Sequence, residues 1–259
     1  MRLDEALAQA VTHLANQGVE SPRLDAELLL AHVLDVNRAA VLARPEKRLT
    51  LKQLTRYREM AARRGHREPL AYILGHREFY GLDLLVDRRV LIPRPETEVL
   101  IELALEKLRG LEAPKVLDLG TGSGIVAITL ALECPAASIV AVDLSKAAIS
   151  VACNNAGRLD ANVDFRQGDW FAPVAGEQFD LVVANPPYVA EGDPHLLHDG
   201  LPFEPQLALT DQERGGDGLA CIRRIVAAAP AHLKPGGWLL FEHGYDQGTA
   251  SRNLLTAAA

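Results

Sequence analysis

A chain of 259 residues, 48% hydrophobic and 24% charged, has apolar material for a sizeable core, and no run approaches the roughly 20 apolar residues of a membrane span. The net charge of −7 counts against a protein that grips bulk nucleic acid, because such proteins usually carry a basic excess. Cys134, Cys153 and Cys221 lie far apart with no C-x-x-C pair, which disfavours a zinc site or a disulfide framework and points to a cytoplasmic protein with reduced thiols.

Residues 1–75 read as a helical domain. The opening "MRLDEALAQAVTHL" mixes acidic residues with helical periodicity, unlike a signal peptide. Gly18 stands where a C-terminal cap belongs. Ser21 and Pro22 suit the N-cap and first helical position of "SPRLDAELLLAHVLDV". A third helix runs from a Thr50 cap to Gly65. Between Arg44 and Arg67 nine basic residues face only Glu46 and Glu59, which describes either a solvated helix face or a docking face for an acidic or RNA-bound partner. Residues 76–92, "HREFYGLDLLVDRRVLI", read as a β-hairpin linking two domains.

From residue 93 to 259 strands alternate with helices. "KVLDLG", "SIVAVD", "VDFRQGD", "FDLVVAN" and "GGWLLFEHG" are the strands, and Ser145 caps the helix "KAAISVACNNAGRL". This alternation means βαβ units and a doubly wound, mostly parallel α/β sheet.

"DLGTGSGIVA" places Gly120, Gly122 and Gly124, with Thr121 and Ser123 between them, after the first strand and before a helix. Such a loop turns sharply and lets a ligand approach bare backbone at a helix N-terminus. On its own it means a nucleoside-containing cofactor, a dinucleotide included, since "GSGIVA" also fits G-x-G-x-x-A. Asp143 ends the second strand 19 residues after Gly124, where a carboxylate can take both ribose hydroxyls. Asp118 faces the same loop; it would repel a pyrophosphate and suits a ligand carrying an amine, which favours S-adenosylmethionine. In "GDWF", Asp169 can accept from an adenine amino group, and Trp170 either packs in the core or stacks on the adenine, worth about 1–3 kcal/mol.

The fourth strand ends in "NPPY". Two prolines cannot extend a central strand, since neither has an N–H for the ladder. Lying beside the first strand, it places Asn185 where ligands bind. A planar amine or amide nitrogen is a poor nucleophile. The Asn185 side-chain oxygen and the rigid Pro186 carbonyl can hold its N–H bonds, with Pro187 stiffening the corner and Tyr188 giving a flat face to the planar group and to a sulfonium cation.

These motifs resemble a class I methyltransferase acting on a planar nitrogen. The stretches "EPLAYILGHREFYGLDLLVDRRVLIPRPETEVL" and "PHLLHDGLPFEPQLAL" make the resemblance narrower, to the PrmC/HemK family of release-factor glutamine methyltransferases, over nearly the whole chain. The resemblance implies transfer of the methyl of S-adenosylmethionine to the glutamine of the Gly-Gly-Gln motif in peptide release factors, with S-adenosylhomocysteine as product. It implies substrate recognition by residues 1–75, an active site lined by Arg94, Glu96 and Thr97 as well as Asn185 to Tyr188, and "FEP" (203–205) bordering the substrate channel. A monomer with no stable DNA binding, no membrane association and no metal is expected. The rival readings are an adenine methyltransferase of nucleic acids, which shares "NPPY", and a non-catalytic cofactor-binding adaptor. His243 reads as structural. Such domains usually end with two more strands, whereas only 17 residues follow Glu242, so one helix and an exposed edge on the fifth strand are expected.

Overall fold

The computed structural model describes residues 1–198 and 200–258; Asp199, within the 194–209 stretch, and Ala259 lie outside the described residues. The chain forms two compact units, Met1–Gly75 and His76–Ala259.

The first unit contains α1 (Leu3–Asn16), α2 (Pro22–Leu34), α3 (Arg38–Ala43), α4 (Leu51–Gly65) and α5 (Leu70–Leu74). Leu3, Ala6, Ala10 and Leu14 make one buried stripe on α1, at the three- and four-residue spacing that aligns side chains on a helix face. They pack with Leu29 and Leu30 of α2, Val41 of α3 and Tyr57 of α4. Thr50 caps α4, accepting from the Gln53 N–H at 3.2 Å. Ser21 holds the N-cap position of α2, but its side chain makes no cap hydrogen bond there. The short α3 and α5 are too brief to show a helical period.

The basic stretch is only partly free. Arg63 pairs with buried Glu68 at 2.8 Å and Arg64 with buried Asp25 at 2.7 Å. Arg67 donates to the Gly18 carbonyl, and Arg56 lies 3.2 Å from the His32 ring nitrogen. Four of the nine cations thus hold the fold together. Arg44, Lys47, Arg48 and Lys52 are exposed.

The second unit opens with the hairpin β1 (His76–Phe79) and β2 (Leu82–Leu85), paired antiparallel across a two-residue turn. Phe79 and Leu84 are buried in this unit's core. The segment read as a linker is therefore part of the second unit. After α6 (Thr97–Leu108) come β3 (Lys115–Leu119), α7 (Ile125–Glu133), β4 (Ser138–Asp143), α8 (Lys146–Leu159), β5 (Val163–Gln167) and β6 (Phe179–Ala184). A ribbon of β7 (Val189–Glu191) and β8 (Thr210–Arg214), with α9 (Gln206–Leu209) before β8, precedes α10 (Ala220–His232), β9 (Leu233–Phe241) and α11 (Gly248–Ala258).

The main sheet has the order β5-β4-β3-β6-β9, parallel throughout. Its central strands bury both faces, which is why they read as continuous apolar runs instead of alternating ones. The doubly wound α/β fold is as expected. Among the described residues β9 is an edge strand followed by a helix, as anticipated; Lys107 Nζ sits 4.6 Å over the ring of its half-exposed Trp238.

Gly124 is a tight point of the fold near the sheet's carboxyl edge. Its φ is +85°, and a Cβ there would lie 2.9 Å from Ile128 Cδ1 and 3.0 Å from the Ala152 Cβ. Gly124→Ala combines left-handed strain with a clash at the α7–α8 contact, and is expected to cost about 1–3 kcal/mol in chemical denaturation.

Candidate active site

Chain order runs outward from β3 through β4 to β5, then β6 returns to the other side of β3. Registers pair Asp118 with Val183 and Leu119 with Ala184, so the glycine loop and Asn185 leave the sheet side by side. Ligands of doubly wound sheets bind in the crevice that opens at such a switch point. Here a cleft of about 220 Å³ lies at it.

The loop is held from three directions. Gly120, Gly122 and Gly124 all have positive φ. Asp143 accepts from the Gly122 N–H and the Ser145 N–H, both at 2.8 Å. Ser145 in turn caps α8 through the Ala148 N–H at 3.1 Å. Asn155 of α8, fully buried, donates to the Ser123 and Leu85 carbonyls at 2.9 and 3.0 Å and accepts from the Leu85 N–H at 2.7 Å, joining the glycine loop to the end of β2.

Asp118 is 1% exposed. Burial pushes its carboxyl up to about 7 against the opposing hydrogen bonds from Thr121 Oγ1, at 2.6 Å, and from the Ala127 N–H in the first turn of α7. Burial also raises Asp143, against its bonds from Ser145 and Gly122. Two carboxylates at one loop with no cation in their hydrogen bonds make a site electrostatically prepared for a positive ligand group.

Asp169 accepts from Arg224 at 2.5 Å through one oxygen. Trp170 has a positive φ of 47° and packs against the core beneath the sheet while lining the cleft. Its Cζ3 lies 3.6 Å from where a Cβ on Gly120 would stand. The indole therefore serves both as core aromatic and as cleft wall.

Opposite the loop, residues 92–97 are fixed by Glu204. This buried carboxylate takes Arg94 at 2.6 Å and the Ile92 N–H at 3.0 Å. Asn185 Nδ2 donates to Thr97 Oγ1 at 3.2 Å, Thr97 Oγ1 donates to Glu242 Oε2 at 2.9 Å, and the Tyr188 hydroxyl donates to Glu242 Oε1 at 3.1 Å. Burial first, and then the Glu242 charge, pushes the Tyr188 phenol up to about 12.

Of the residues singled out in the sequence, Asp118, Gly120, Thr121, Gly122, Ser123, Asp143, Asp169, Trp170 and Asn185 line the cleft, as do Arg94, Thr97 and Pro187. Gly124 lies behind the loop as the N-cap of α7. Pro186 is buried, Tyr188 points to Glu242, and Glu96 is exposed at the N-cap of α6; none of the three lines the cleft. His243 is exposed and contacts the Gly244 carbonyl. Sequence reasoning set Glu242 at the ligand edge without its partners, and missed Asn155 and the wall formed by Leu207, Ala208, Thr210 and Gln212. For Glu242 the one available signal was an acid at a strand's carboxyl end.

Residues 5–75 match the PrmC N-terminal domain family and residues 96–198 the methyltransferase small domain family. A protein of Bordetella pertussis named release factor glutamine methyltransferase is 49% identical over 95% of this chain and 89% of its own length. One of the same name from Vibrio cholerae is 48% identical over 98% and 88%. The chain belongs to the release factor glutamine methyltransferase family. The resemblance seen in the sequence is thus borne out. A methyltransferase of Pyrococcus furiosus shares the fold at a TM-score of 0.51 and 20% identity, over 69% of this chain and 79% of that one. A SAM-dependent methyltransferase of Agrobacterium tumefaciens does so at 0.51 and 19%, over 71% and 57%.

Asp118 gives the ligand-free protein a definite pH signature. Folded, it keeps its proton up to about pH 7, whereas in an unfolded chain it loses it near 4. Within that window the folded state binds the extra proton, so this group's contribution to stability falls as pH rises. Asp118→Asn is expected to remove this fall, gaining on the order of a few kcal/mol over wild type at pH 8 relative to pH 4 in paired denaturation curves.

Proposed function

We infer that this chain transfers a methyl group from S-adenosylmethionine to the side-chain amide nitrogen of the Gly-Gly-Gln glutamine in peptide release factors, with S-adenosylhomocysteine as product. The observation that carries the reading is the 48–49% identity, over nearly the whole chain, to relatives of that name. The Asn-Pro-Pro-Tyr turn beside a glycine loop supports it. The net charge of −7 speaks against stable DNA binding.

The residues present fit the cofactor. Asp118 offers a buried carboxylate to an α-amino cation, the glycine loop offers bare backbone to the methionine portion, and Asp143 takes the ribose hydroxyls while bonded to Gly122 and Ser145. Asp169 keeps one oxygen for the adenine amino group, and Trp170 flanks the ring. S-adenosylmethionine supplies an electrophilic methyl on a sulfonium.

The protein's task is to make a poor nucleophile attack in line. Asn185 Oδ1 and the Pro186 carbonyl accept the two N–H bonds of the glutamine amide and favour positive charge developing on its nitrogen. Pro186 and Pro187 keep the turn rigid, and Tyr188 anchors its far end through Glu242. Arg94 and Thr97 border the glutamine, with Glu96 at the rim. Fixing both reactants can lower a barrier by up to about 7–11 kcal/mol. The nitrogen sheds its proton after transfer, so no general base is needed.

The helical unit takes the recognition role, with exposed Arg44, Lys47, Arg48 and Lys52 offered to an acidic face. The three free cysteines suit a protein working in the reducing cytoplasm. Among the described residues no helix is long and apolar enough to cross a membrane.

The deciding assay offers methyl-labelled S-adenosylmethionine with an unmethylated release factor, the same factor with its loop glutamine replaced, and duplex DNA. Label in the intact factor alone is expected; label in DNA would overturn the reading. Asn185→Ala should bind the cofactor normally and lose at least about 100-fold in kcat, the scale of removing one fixed polar contact to the reacting group. Turnover at the wild-type rate would refute the amide clamp. Reversing Lys47, Arg48 and Lys52 to Glu should raise the KM for the release factor several-fold at constant kcat, most strongly at low salt. An unchanged KM would leave these residues as solvated surface charge.

A further inference from the structure

We propose that Thr97 and Glu242 decide which end of the Asn185 side-chain amide faces the cleft, and so act as positioning residues for the substrate glutamine. This rests on the methyl-transfer reading above. The two ends of an asparagine amide have nearly the same shape and opposite chemistry: one accepts, the other donates twice. Only the oxygen can hold an N–H of a substrate amide. Flipped, the side chain would turn donors toward the substrate's own donors.

The hydrogen bonds fix the choice when followed from the carboxylate outward. Glu242 follows β9, and its N–H extends the sheet ladder to the Ala184 carbonyl at 3.0 Å. Its carboxylate takes the Tyr188 hydroxyl on one oxygen and the Thr97 hydroxyl on the other. Tyr188, with its phenol pushed up to about 12, keeps its proton at neutral pH and donates it. Thr97 has a single hydroxyl proton, and the carboxylate takes it. What Thr97 Oγ1 has left for Asn185, 3.2 Å away, is lone pairs. Only Nδ2 can sit against lone pairs, so Oδ1 is the end left for the cleft that Asn185 lines. Thr97 is 2% exposed, so water does not stand in for either partner.

The same carboxylate holds both ends of the turn, Asn185 through Thr97 and Tyr188 directly. Gln247 Nε2 adds a bond to the Tyr188 carbonyl at 2.9 Å. The first residue of α6, the end of β6 and the end of β9 thereby converge on one polarity.

Thr97→Val keeps the shape and removes the hydroxyl; Thr97→Ser restores it. Two measurements decide the matter: steady-state kinetics with the release factor, and hydrogen exchange of the Asn185 side-chain NH2 by NMR in the enzyme alone, its signal assigned by its loss in Asn185→Ala. Thr97→Val is expected to lower kcat about 10- to 100-fold, with the cofactor Kd and release-factor KM within about threefold of wild type. Thr97→Ser should recover most of the loss. The Asn185 NH2 should be protected in wild type and Thr97→Ser and unprotected in Thr97→Val. Wild-type kcat in Thr97→Val, no recovery in Thr97→Ser, or an unprotected NH2 in wild type would each overturn the proposal. Should the valine variant not fold, the wild-type exchange and the serine variant still decide. A wild type that moves no label to the release factor would sink the functional reading, while exchange in the enzyme alone would still settle the polarity of Asn185.

Discussion

The arrangement depends on β6 pairing with β3 and not with β5. Had the sheet grown in one direction only, Asn185 would leave it three strands away from the glycine loop. Because the chain reverses, the strand pair 116–119 and 181–184 delivers the loop and the Asn-Pro-Pro-Tyr turn to adjacent points on one edge. The prolines then have a structural meaning: they end β6 at the crevice, leaving Ala184 to receive the N–H of Glu242 as the last rung on that side.

Around this point four carboxylates organise the backbone. Asp118 receives Thr121 and the start of α7; Asp143 receives the loop and the start of α8; Glu204 receives Arg94 and Ile92; Glu242 receives Thr97 and Tyr188. Only Glu204 has a cation as direct partner. Asp118 and Asp143 remain at a burial cost that a cationic ligand would offset, the usual compromise between stability and function at a binding site.

Much of this is legible from residues alone. The central strands show as apolar runs and β5 as an alternation, and their glycine and acidic punctuation marks the carboxyl edge. Thr50 and Ser145 cap as their chemistry dictates. What escapes the sequence does so for physical reasons. Nothing local distinguishes Asn155 from its neighbour Asn154, since its partners are Ser123 and Leu85, and only the folded chain brings them to it. Arg63 and Arg64 look like free surface charge until Glu68 and Asp25 meet them. Ser21 stands at a cap position without capping, and the β7–β8 ribbon is too short to display an alternation. Family likeness located residues 92–97 and 203–205, but their mutual clamp through Glu204 emerges only in three dimensions.

The distances along the chain between these partners also set an order of assembly. On the cofactor side, Gly122 meets Asp143 across 21 residues and Ser123 meets Asn155 across 32. On the substrate side, Arg94 and Ile92 reach Glu204 across 110 and 112 residues, and Thr97 reaches Glu242 across 145. Closing a longer loop costs more chain entropy and gives nothing back until the ends meet. During synthesis, the glycine loop and its acids can therefore close while much of the chain is still unmade. The turn after β6 waits for residue 242 to fix Thr97 and Tyr188, so the two walls of the cleft are set at different stages of synthesis.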